Sequence, residues 1–144
     1  YERNLATVLR AIAESEAVPA VRCHSARPPV DLFRSAGAQA IAVDLGRELP
    51  LDDGLPRAWE DGVGLMLASI PIHQDIGSWS DTQLSQQVRT FMSESGFGHV
   101  RANVAITPRH GLARVAPETA RDVLAACRRV GEIIRDDHPA VTHG

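Results

Sequence analysis

The sequence predicts an α/β protein built as half of a TIM-type (β/α) barrel, with about four parallel strands each followed by a helix. Three observations lead there. Short, almost continuously apolar runs alternate with longer segments whose apolar residues recur at helical spacing, the pattern of a parallel sheet covered by helices. The chain opens on a helix and carries neither G-x-G-x-x-G nor a P-loop, which separates it from a complete doubly wound sheet of the flavodoxin type. At about 30 residues per β/α unit, its 144 residues make about half of an eight-stranded ring.

The elements follow in order. Leu5, Val8, Leu9 and Ile12 form one stripe and predict a helix over Glu2 to Ser15, stopped by Val18 and Pro19. Ala20 to His24 is a short strand closed by polar residues and by Pro28 and Pro29. Val30 to Ala36 is a short helix that Gly37 is placed to end. Ala40 to Leu45 is a buried strand, apolar until Asp44. After the acidic turn at Asp52, Asp53 and Gly54, Leu55 to Glu60 makes a brief helix and Leu65 to Ile72 a third strand, running into His73, Gln74 and Asp75. Ser80 and Gln83 have the spacing of a capping box, and Leu84, Val88, Phe91 and Met92 form the apolar face of the helix behind it, with Gly96 and Gly98 at its end. Asn103 to Thr107 is the fourth strand. Pro117 suits the first position of a last helix with the stripe Ala120, Val123, Leu124, Cys127, Val130 and Ile134.

Composition narrows the function classes. A chain that is 44% hydrophobic and 23% charged reads as an ordered, soluble single-domain segment over 1–144, with a flexible tail over 136–144. The longest apolar stretch, Gly62 to Ile72, is broken by Gly64, Ser69 and Pro71 and falls far short of the ~20 residues a membrane helix needs. The net charge is −3 and Arg128–Arg129 is the only adjacent basic pair, so neither a nucleic-acid partner nor a membrane is expected. Two distant cysteines, Cys23 and Cys127, do not make the disulfide framework of a small secreted domain, and the expected location is cytoplasmic. The start at Tyr1 without an initiator Met suggests a piece of a longer protein.

In a β/α barrel the chemistry sits at the C-terminal ends of the strands. The apolar runs here close on Cys23 and His24, on Asp44, on His73 and Asp75, and on His110. Thiolate, imidazole and carboxylate are the donors that zinc takes in tetrahedral sets. Each residue also has a plainer role: Cys23 as a small buried hydrophobe, Asp44 as the cap of its following turn, His73 and His110 as backbone-bonded residues. Cys127 lies in a helix stripe, and His99, His138 and His143 lie in loops or the tail; none of these is expected to act.

Three segments, Val21-Arg22-Cys23-His24, Ala40-Ile41-Ala42-Val43-Asp44 and Ile106-Thr107-Pro108-Arg109-His110-Gly111-Leu112, resemble the last barrel strands of the cobalamin-independent methionine synthase family. The resemblance covers most of the chain and makes it the C-terminal half of a TIM-type (β/α) barrel. In that family a His-x-Cys pair, a Glu one strand later and a Cys in an Asn-Pro-x-Cys-Gly-Leu turn bind zinc, which activates the homocysteine thiol for methyl transfer from a methyltetrahydrofolate. The resemblance thus implies Cys23, His24, Asp44 and His110 as zinc ligands; His73 and Asp75, from their place at a strand end, are possible additional site residues. Cys23 lacks a His two residues before it, Asp44 stands for the Glu and His110 for the last Cys. A one-thiolate site would bind zinc less softly and leave the substrate sulfur less nucleophilic. The expected function is metal-assisted methyl or alkyl transfer to a thiol such as homocysteine in the full-length parent, with folate as methyl donor. The alternatives are a non-catalytic half-barrel interaction or scaffold module, or a uroporphyrinogen decarboxylase-like barrel. The expected partners are a small-molecule thiol and either a second copy of the chain or the remaining half of the barrel.

Overall fold

The computed structural model describes residues 2–25, 27–46, 54–72, 78–97 and 103–136. Nine elements alternate in type: α1 (Glu2–Glu14), β1 (Ala20–Arg22), α2 (Val30–Ser35), β2 (Ala40–Asp44), α3 (Gly54–Glu60), β3 (Gly64–Ile70), α4 (Asp81–Glu94), β4 (Val104–Pro108) and α5 (Pro117–Asp136). The strands form one sheet in the order β1-β2-β3-β4, and every pair is parallel. Sequential order is what consecutive β/α units produce when each crossover returns beside the strand it left.

The local signals act where the spacing placed them. Ser80 Oγ accepts from the Gln83 amide at 3.1 Å while Gln83 Oε1 accepts from the Ser80 amide at 2.9 Å, so a capping box starts α4. Gly37 takes φ +96° just past α2, a backbone state that lets the chain turn into β2 without Cβ strain. Asp136, expected in the tail, belongs to α5; residues 137–144 lie outside the described ones.

Register sorts the strand residues onto two faces. Val21, Ile41, Leu65 and Val104 are cross-strand neighbours, as are Val43, Leu67 and Ile106. All seven pack into one apolar cluster with residues of all five helices, including Leu9, Phe33, Trp59, Val88 and Val130. Under α3 and α4, Trp59 and Phe91 both lean on Phe97, with ring centroids 5.6 and 5.8 Å away. Side chains such as Leu67, Val88 and Val130 are 0% exposed, each a burial of roughly 1.5–3 kcal/mol. The alternate residues, Ala20, Ala40, Ala42, Gly64, Met66 and Ala105, contribute nothing to that cluster. All the helices therefore lie against one face, and the other is lined mostly by small side chains.

A register shift between Ala68 and Ile70 interrupts the alternation. The extra residue, Ser69, is fully buried, and the bulge lets Ile70 join the helix-side cluster. Two expected stripe positions fail: Val8 on α1 is 57% exposed, and the other lies on α5. Leu124 is 54% exposed, and Ala126 takes the buried place on α5. Leu124 lies one residue off the line Val123, Cys127, Val130, Ile134, so it falls at the margin of the apolar face, where helix rotation against the sheet decides burial.

Candidate functional site

Because the strands are parallel, Arg22, Asp44, Ile70 and Pro108 all close their strands at the same end of the sheet. Cys23 and His24 follow β1 at that rim, and Arg109 and His110 follow β4. His73 and Asp75 lie outside the described residues.

Cys23 and Asp44 turn to different sides of the sheet at this rim. Cys23 is half-buried and packs, like Val21 two residues earlier, against the helix-side cluster; its Sγ accepts from the Ser25 amide at 3.4 Å. Asp44 has the parity of Ala42 and belongs to the opposite face. Its Oδ1 accepts from the Gly46 amide at 2.9 Å, the turn-capping role open to it from the start. His24 and His110 are exposed. Among the described residues no three His, Cys, Asp or Glu side chains stand together as a metal-holding group. Cys23 and Asp44 part company because of the pleat: closing a strand at this rim does not choose the face, and a one-residue offset inverts it.

Cys127 is buried on α5, and burial pushes its thiol up to about 11, which keeps it protonated and inert at neutral pH.

Two arginines organise the rim instead. Arg22 reaches from β1 across the open face and donates through Nη2 to the main-chain carbonyl of Arg109, linking the first strand to the end of the fourth. The Arg109 amide donates to Ile70 O at 2.9 Å. Its side chain runs toward the end of β2, where Nη2 donates to Gln87 Oε1 at 3.2 Å and Gln87 Nε2 donates to Leu45 O at 3.1 Å. Arg109 is thus a strut tying α4 and the turn after β2 to the turn after β4. It fits because residue 46 is glycine: a Cβ there would stand 2.9 Å from Arg109 Nη1.

Beside this network a cavity of about 450 Å³ opens where Arg22, Ala42, Met66 and Thr107 of the open face meet Val21 at the edge of the sheet, His110, and Leu124 of α5. Its volume is that of a small-molecule cleft, typically about 300–1,000 Å³. Of the described residues expected to act, His110 alone lines it. Strand-end reading missed Arg22, Met66 and Leu124, although period-two alternation from Val21 already places Arg22 opposite the helices.

The chain matches no protein-family model, no curated protein and no solved structure.

Proposed function

We propose that these four β/α units are half of a TIM-type barrel of the methionine synthase-like kind, and that the barrel handles a small molecule at the rim where Arg22, Asp44 and the Pro108-Arg109-His110-Gly111-Leu112 turn meet. The observation that carries the reading is the two-faced sheet. One face is sealed by five helices, while the other is lined by alanines, Gly64 and Met66 and opens into a cavity. In a closed barrel that inner face is filled by side chains from the strands all the way round the ring. Among the described residues β1 and β4 each pair on one side only, which leaves two parallel edges able to accept further strands.

The reaction suggested for the completed barrel is methyl or alkyl transfer to a thiol such as homocysteine, from a folate donor. This half would supply the binding rim; no zinc-dependent step is assigned to it, because its described donors are not gathered. That same dispersal favours a second reading, in which the half-barrel survives as a ligand-binding or scaffold module without chemistry. Light scattering, with a transfer assay using methyltetrahydrofolate and homocysteine, tests both. Self-association, or closure with a second β/α half, is expected, with any turnover confined to the closed assembly. A stable monomer that turns over homocysteine unaided would overturn the half-barrel reading, and a closed but inactive ring would select the module.

A further inference from the structure

We propose that the open-face cavity is a binding site for a small carboxylic acid, with the carboxylate on the Arg22 guanidinium and the apolar body along Ala42, Met66 and Leu124. The proposal rests on the open face being the ligand-bearing one, and names the substrate class it takes. Among the described residues Arg22 is the only permanently charged side chain lining the cavity; there its one hydrogen bond goes to a main-chain carbonyl, and it is not ion-paired. A carbonyl dipole satisfies one N–H and leaves the rest of this exposed guanidinium fork available for a planar, two-oxygen acceptor. Thr107, on the same face by its register with Asp44 and Ala68, adds a hydroxyl at the same rim.

The remaining lining selects the rest of the ligand. Ala42, Met66, Leu112 and Leu124 line a predominantly apolar concavity, and Met66 is the one long, adaptable apolar side chain that the strands send to this face. Leu124, at 54% exposure, gains cover when an aliphatic chain lies against it. One cation matches a monoanion: a phosphate dianion would keep an uncompensated charge beside apolar walls, which is costly.

The test titrates the full chain with hexanoate, hexan-1-ol and inorganic phosphate, following the Ala42, Thr107 and Gly111 amides and the Met66 methyl by NMR. Hexanoate should shift these signals and bind about tenfold or more tighter than hexanol, the contribution of a charge-assisted hydrogen-bond pair; phosphate should not displace it. Arg22→Met should reduce hexanoate to the affinity of hexanol. Met66→Phe, which leaves the charge in place and fills the cavity, should weaken both ligands. Equal binding of acid and alcohol, unchanged hexanoate affinity in Arg22→Met, or displacement by phosphate would overturn the proposal. Light scattering on the same samples separates it from the barrel: a monomer that binds hexanoate keeps the site and sinks the barrel, and a closed oligomer that ignores hexanoate sinks the site alone.

Discussion

Replacing Gly64 by alanine probes the tightest approach in the sheet. Gly64 opens β3 between two neighbours. Its amide donates to Gln39 O at 2.8 Å, and the next amide, Leu65, donates to Asn103 O at 3.0 Å. A Cβ on Gly64 would stand 2.9 Å from that same Asn103 oxygen and 3.4 Å from Gln39 O. Both atoms are main-chain acceptors already held in the ladder, so relief requires β3 and β4 to separate at their start. Overpacking of this kind costs about 1–3 kcal/mol, against about 0.4–1 kcal/mol gained by stiffening the unfolded chain. Gly64→Ala should therefore lose about 1–2 kcal/mol, a fall of roughly 3–8 °C in Tm for a domain of this size. Gly37→Ala is the control: nothing lies within 4 Å of its Cβ position, and its φ of +96° makes the cost one of backbone strain, about 1 kcal/mol. Thermal and urea unfolding followed by circular dichroism measure both. A Gly64→Ala protein as stable as wild type would refute the register that places Ala40, Gly64 and Asn103 side by side.

Three other outcomes follow from particular atoms. The hydroxyl of Ser69, buried at the bulge without a hydrogen-bond partner among the described residues, should be better absent: Ser69→Ala should stabilise the fold by about 1 kcal/mol in urea unfolding, and a loss would mean that the hydroxyl is satisfied. Ser80→Ala removes the side-chain acceptor of the α4 capping box and should cost about 1 kcal/mol; urea unfolding unchanged by the substitution would show that the box contributes nothing. Burial raises the Cys127 thiol from 9.0 to about 11, so the unfolded chain releases this proton before the native one does. The resulting stability is complete below pH 9 and is lost as the pH rises through about 11, by at most about 2–3 kcal/mol. The sequence contains no lysine, so no ammonium titration masks the decline. Urea unfolding of wild type and Cys127→Ala at pH 8 and pH 11 should show it in the wild type alone, and equal declines would refute the assignment.

Much of the fold was legible before any coordinates, because the terms that decide it are local and periodic. Helical stripes, the Ser80–Gln83 box, Gly37 and Pro117 act within a few residues of themselves, and near-continuous apolar runs mark strands that will be covered. Parallel order followed from the alternation of those elements, which puts the strand ends at one rim. What the sequence alone left open was facing. Cys23 and Asp44 both close apolar strands, yet the pleat turns one into the helix layer and the other to the open side. The bulge at Ser69, which moves Ile70 into the core, is set by β4 across the ladder. Leu124 satisfies a helical stripe, but the sheet that α5 rests on leaves it at the cavity mouth. Arg22 meets the Arg109 carbonyl across 87 residues, a contact that only the curvature of the whole sheet brings within reach. Local propensity falls off within a turn or two of the chain, whereas the candidate site is made of distances between strands, and those are set by the packing of every layer at once.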